Sequence, residues 1–95
     1  MFLLDQQTQD LLPPLYAQEK ETKKIAYARF YLPDYNWEWY AMEYSPLQKL
    51  FYGLVDGNEK EFGYFTLDEL AALQYSVGSR VLRDYEFEPT FVDEL

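Results

Sequence analysis

Between Ile25 and Phe65 the apolar residues recur at every second position, and three turn signals cut that stretch at short intervals. A period of two is the spacing of a strand with one buried face. Connections this short can only join antiparallel neighbours, because a parallel return needs a dozen residues or more. Ile25, Tyr27, Arg29 and Tyr31 fall on one face of the first strand, with Ala26, Ala28, Phe30 and Leu32 on the other. Leu32-Pro33-Asp34-Tyr35-Asn36 carries turn chemistry. Trp37 to Tyr44 forms the next strand, with Trp37, Trp39 and Ala41 opposite Glu38, Tyr40, Met42 and Tyr44. Ser45-Pro46 interrupts, and Leu50 to Val55 is the third. Asp56-Gly57-Asn58 is a tight-turn signal, read as glycine supplying a positive φ, before Phe62 to Phe65 returns. The pattern predicts an antiparallel meander.

The flanks are helical. Thr66-Leu67-Asp68-Glu69 matches a capping box, and Leu67, Leu70, Ala71 and Leu73 have helical spacing, so a helix is expected from Leu67 to about Tyr75 with Gly78 past its end. Asp5 to Leu12 reads as a short helix that Pro13-Pro14 stops, with Leu15 and Tyr16 as an anchor and Gln18–Lys24 as a charged loop. Val81 to Phe87 reads as a last extended segment, ending near Pro89. The order implies one α+β domain over residues 1–95. Its sheet is an antiparallel meander of about four to five strands, with one main helix packed on one face and a short N-terminal helix. The expected core joins Trp37 or Trp39 with Leu54, Phe65, Leu67, Leu70 and Phe87.

A chain of 95 residues has little interior, so its 20% aromatic content matters to the core. It has no Cys and no His. That excludes disulfides, thiolate nucleophiles, His-based triads and the commonest zinc ligands. Glycines are scattered, so no phosphate loop is present, and no Ser stands with a base. Asp56-Gly57-Asn58-Glu59-Lys60-Glu61 resembles a calcium loop only superficially, lacking its order and spacing. The expectation is no metal, no cofactor, no catalytic residue and no enzyme. No apolar run approaches the ~18 residues of a membrane span, and Met1-Phe2-Leu3-Leu4-Asp5 lacks the features of a signal peptide. The expected place of work is the cytoplasm.

Net charge is −9, divided as −2 over residues 1–49 and −7 over residues 50–95. Such a chain repels nucleic acid and anionic membrane and is steered towards basic surfaces. The sharpest acidic feature is Asp84-Tyr85-Glu86-Phe87-Glu88, which if extended puts three carboxylates on one face at roughly 6.8 Å spacing. One DNA strand carries a charge about every 3.4 Å, so Glu59, Glu61, Asp68 and Glu69 would have to fill in. The bland alternative is a solvated strand face. The excess of Tyr over Phe predicts a partly wet aromatic surface, for which Tyr40 and Tyr44 are the candidates. The expected partner-binding residues are therefore Asp84, Glu86, Glu88, Glu59, Glu61, Tyr40 and Tyr44.

Several segments together resemble a family of small proteins carried on bacterial plasmids and integrative elements. They are Leu12-Pro13-Pro14-Leu15-Tyr16, Asn36-Trp37-Glu38-Trp39-Tyr40, Phe51-Tyr52-Gly53-Leu54-Val55-Asp56-Gly57, the continuation through Glu59 and Glu61 to Gly63–Leu70, and Arg83-Asp84-Tyr85-Glu86-Phe87-Glu88-Pro89. Ala41-Met42 departs from the pattern, where a more polar pair is expected before Glu43. The resemblance implies a mobile-element context and brings no catalytic residue with it.

The leading expectation is a non-catalytic acidic protein-binding module. Its partner would be a basic protein surface, with a host nuclease or CRISPR effector in view, making the module an anti-CRISPR or anti-restriction inhibitor. The alternatives are an accessory protein of plasmid maintenance or transfer, charged only for solubility, and a small hydrolase.

Overall fold

The meander forms as its period requires. The structure is a computed structural model that describes residues 3–77 and 80–95. Strands β1 (Ile25–Ala26), β2 (Ala28–Leu32), β3 (Trp37–Ser45), β4 (Leu50–Asp56) and β5 (Lys60–Thr66) lie between the short helix α1 (Gln6–Leu11) and helix α2 (Leu67–Val77). Two short strands follow, β6 (Leu82–Arg83) and β7 (Thr90–Phe91), and then a 3-10 turn over Val92–Glu94. The main sheet has five antiparallel strands in the order β5-β4-β3-β2-β6, and β1 pairs with β7 apart from it. Gly78, the residue expected past the end of α2, lies outside the described residues.

Local signals explain the helices. The Asp5 side chain caps α1 by accepting the Thr8 N–H at 2.7 Å. At α2 the capping box closes reciprocally: the Glu69 N–H donates to Thr66 Oγ1 at 3.0 Å and the Thr66 N–H to Glu69 Oε1 at 3.1 Å. Leu70 buries fully against the sheet, with Leu67 and Leu73 beside it.

The core on the helix side centres on Phe51. Its ring stacks on Phe65 (5.0 Å), lies against Tyr44 (4.5 Å) and meets Phe30 edge-on (5.5 Å). The expected single core is in fact two. Trp39, Phe65 and Leu70 share this side, whereas Leu54 packs with Ala26 and Tyr40 on the opposite face, under Phe87, Val92 and Leu95. The C-terminal segment covers that half of the sheet, held by β7, by the Val92 N–H to Lys24 O bond (2.8 Å) and by Lys60 Nζ donating to Leu95 O (2.7 Å).

A β-bulge alters the strand alternation expected from the sequence. Ala41 pairs with Gly53 and Glu43 with Tyr52, so Met42 is the extra residue. Past it, parity inverts. Tyr44 joins Trp39 and Ala41 on the helix side instead of Tyr40. Gly53 sits opposite, where a Cβ would collide with the Tyr40 carbonyl. The β4–β5 turn also differs in its reason. Gly57 does not adopt a positive φ; it is glycine because the Trp37 indole lies where a Cβ would stand, its Cζ3 only 2.5 Å away.

Beyond Ala41, β2 no longer pairs with β3. The segment after α1 takes its place along that edge. The Tyr44 N–H donates to Pro13 O at 2.9 Å, and Gln18 Nε2 donates to Met42 O at 3.0 Å. This satisfies backbone groups that the sheet leaves open.

Candidate functional site

The bulge turns Glu43 onto the face away from the helices, alongside Tyr52 of β4 and Tyr64 of β5. There Glu43 is buried, 4% exposed. Its Oε1 accepts the Tyr16 N–H and its Oε2 the Gln18 N–H, both at 2.8 Å. Gln18 is buried too, and its amide pins the start of β1, donating to Ile25 O (2.9 Å) and accepting the Ile25 N–H (2.7 Å). Lys24, the nearby cation, is spent on main-chain carbonyls: its Nζ donates to Gln18 O, Glu21 O and Glu19 O at 2.8, 3.1 and 3.4 Å. No ion pair among the described residues engages Glu43.

This clamp holds Tyr16 in a left-handed conformation, φ 72°, which costs a side-chain-bearing residue about 1–2 kcal/mol. The anchor expected at Tyr16 is thus its main chain, because the ring is 63% exposed. The ring borders Tyr64 (52% exposed), and Tyr52 lies between Tyr64 (4.9 Å) and Phe62 (6.3 Å). The Tyr64 hydroxyl is held above its ordinary pKa, first by its hydrogen bond with the Tyr16 side chain, then by burial and neighbouring negative charge that includes Glu43. Three tyrosines and the buried glutamate thereby line a cleft of about 400 Å³. A larger hollow of about 610 Å³ lies by the helices among Leu4, Leu70 and Val81, running up to Arg80 beside the undescribed residues.

The residues singled out from the sequence are placed differently. Tyr40 and Tyr44 are buried (8% and 4% exposed), Tyr40 under Phe87 at 5.7 Å and Tyr44 in the Phe51 cluster. Neither is available as exposed surface, because the C-terminal segment covers one face and the bulge sends Tyr44 to the other. The acidic run does not extend as a strand. β6 stops at Arg83, the Glu86 N–H turns back to Asp84 Oδ1 (3.0 Å), and the Phe87 N–H to Asp84 O (3.3 Å). Asp84 is partly buried and bonded to Arg29 Nη1 at 2.8 Å, while the same guanidinium grips Glu38. Burial works against the Arg29 charge, but hydrogen bonds with Glu38, Tyr40 and Asp84 outweigh it and raise its pKa.

Glu59, Glu61, Glu86 and Glu88 are exposed, and no ion pair among the described residues engages them. No group of three or more carboxylates among the described residues is disposed to hold a metal ion, and no helix there is long and apolar enough to cross a membrane. Glu43, Gln18, Tyr16, Tyr52, Phe62 and Tyr64 were not among the site residues expected from the sequence. Tyr52, Phe62 and Tyr64 had a usable signal, since each is out of phase with the core residues Phe51 and Phe65.

No curated protein and no solved structure matches the chain. A family model described as "Protein of unknown function (DUF2958)" matches residues 2–92, nearly the whole chain, and the chain belongs to that family.

Proposed function

We propose that this protein is a non-catalytic, acidic protein-binding module that engages a basic protein surface through the tyrosine-lined face of β4 and β5. The observation that carries the reading is the contiguous exposure of Tyr16, Phe62 and Tyr64 (63, 46 and 52%) around an anionic cleft. Aromatic side chains supply most of the energy of protein contacts while losing little conformational freedom. Charge of one sign around such a patch steers encounter with a partner of the other sign. The exposed Glu59, Glu61, Glu86 and Glu88 supply that steering here, within a net charge of −9.

The charge-mimic version of the idea loses support. Asp84 is tied to Arg29, which it shares with Glu38, and the run containing it turns instead of presenting a ladder. What remains is steering by dispersed acids towards an aromatic contact. The likeness to proteins of mobile elements makes a host nucleic-acid-binding defence protein, a nuclease or CRISPR effector, the first partner class to examine.

The test is association kinetics with a basic partner recovered from a host lysate and then purified. Replacing Glu59, Glu61, Glu86 and Glu88 by Gln should slow association and flatten its salt dependence, because exposed charges act through a Debye length of about 8–10 Å. Unchanged association with unchanged salt dependence would return the charge to a role in solubility, as expected of an accessory protein of plasmid maintenance.

A further inference from the structure

We propose that the cleft over Glu43 is an acceptor site for one arginine side chain of the basic partner. This assignment rests on the protein-binding reading above and names the group that the surface receives. The cleft joins two recognition chemistries. Tyr16, Tyr52 and Tyr64 supply aromatic rings, whose negative faces attract cations, to its lining. Glu43, itself buried, supplies negative charge in its lining. Each oxygen of that carboxylate takes one backbone N–H bond, so each keeps a second acceptor site. Two oxygens with one free acceptor site apiece match the planar fork of a guanidinium, which bonds carboxylates in parallel pairs.

Among the described residues, no cation forms an ion pair with Glu43. Lys24 lines the same cleft but is committed to three carbonyls of the 18–21 turn. Arg29 is held between Glu38 and Asp84. An ammonium is a compact, strongly hydrated point charge, whereas a guanidinium stacks on rings and sheds water more readily. Arginine is therefore the better occupant of a ring-lined site. The left-handed Tyr16 adds a structural reason. The Glu43 clamp maintains a strained backbone there, and the strained turn places the Tyr16 ring across from Tyr64.

The experiment is an amide NMR titration with N-acetyl-arginine methylamide, set against its lysine and citrulline counterparts. The Tyr16 and Gln18 amides are direct reporters, because both donate to Glu43. The arginine compound should move these two signals saturably, the uncharged citrulline compound should not, and lysine should bind more weakly. Tyr64→Leu should weaken arginine binding by about three- to thirty-fold, the range of one cation–π contact, while Tyr64→Phe, which keeps the ring, should retain most of it. Shifts scattered over the acidic surface, or equal in Tyr64→Leu, would overturn the site. Equal saturation by lysine or citrulline would overturn the guanidinium assignment. A purified basic partner that binds Tyr64→Leu as tightly as the parent would overturn the arginine site and leave the protein-binding reading standing. A partner whose association is unchanged by the four glutamate replacements would overturn the steering role of the surface acids instead, and failure to find any protein partner would overturn the protein-binding reading.

Discussion

Gln18 and Glu43, 25 residues apart in sequence, are joined by a 2.8 Å hydrogen bond from the Gln18 N–H to Glu43 Oε2, with both residues buried. Two polar residues thus hold the N-terminal segment against the end of β3 that β2 does not cover. Leaving a buried N–H without an acceptor costs about 1–3 kcal/mol. Glu43→Leu strands the buried N–H of Gln18 and leaves the part-buried N–H of Tyr16 to solvent, so it should lower unfolding stability by about 1–3 kcal/mol in all. Urea midpoints would measure it. A loss below about 0.5 kcal/mol would mean that the two N–H groups find water and that the clamp does not hold the segment.

The glycines should separate sharply. Gly53→Ala puts a methyl into the Tyr40 carbonyl and Gly57→Ala puts one into the Trp37 indole. Each should cost about 1–3 kcal/mol or more through overpacking. Gly63→Ala meets nothing within 4 Å. It should be neutral or stabilise by up to about 1 kcal/mol, by restricting the unfolded chain. Thermal melts of the three variants would show the order, and a destabilised Gly63→Ala would contradict an open β5 position.

Much of this fold was legible because its signals are local. Alternation marked the strands, and Thr66 with Glu69 announced the start of α2 by a bond pattern spanning three residues. The bulge was not legible. Nothing in Ala41-Met42-Glu43 says which residue goes unpaired, since the register is set by pairing with β4, a strand several residues further on, where Gly53 lies close to the Tyr40 carbonyl. One missed residue inverted the parity of everything after it, moving Tyr44 from candidate surface into the core. Gln18 and Glu43 were hidden for a related reason. In sequence each is an ordinary polar residue, and only the long-range pairing makes them structural. Asp84 looked available because its partner, Arg29, is 55 positions away.

Packing of α2 gives a third expectation. Leu70 is 1% exposed and sits against the Phe51 cluster. Leu70→Ala should cost about 2–5 kcal/mol, the loss for a truncated and incompletely collapsed core site. A change within about 0.5 kcal/mol would show that the helix does not seal the sheet there.

The α1 cap predicts a pH dependence. The Asp5 carboxyl is held below its ordinary value of 3.8, chiefly by hydrogen bonds from the Thr8 side chain and main chain. Its folded-state pKa is depressed, so its contribution is fully present above the unfolded value and disappears as pH falls through the folded one. Asp5→Asn keeps a capping oxygen and should remove only that acid-side dependence, while Asp5→Ala should cost about 0.5–2 kcal/mol at neutral pH. Urea titrations at pH 7 and below pH 4 would separate the two. Identical acid dependence in Asp5→Asn and the parent would assign the effect to other carboxyls.

The acidic C-terminal run should divide by residue, although the sequence presents it as one feature. Asp84→Asn removes a charge that Arg29 faces in a partly buried setting, beside Glu38 and Tyr40. Hydrogen bonds to charged groups are worth about 1.5–3 kcal/mol, but this pair is about a quarter exposed, so screening lowers the expected loss to about 1 kcal/mol. That loss should appear in stability, with association to a basic partner little altered. Glu86→Gln with Glu88→Gln should do the reverse, leaving the melting temperature nearly unchanged and slowing association, most visibly at low salt. A double-mutant cycle of Asp84→Asn with Arg29→Gln would check the first half, since residues in contact or in one ion-pair network give a non-additive result and independent ones do not. If Asp84→Asn instead slows association as much as the Glu86 and Glu88 changes while leaving stability untouched, the Arg29 bond does not hold it in solution, and the three acids act as one surface after all.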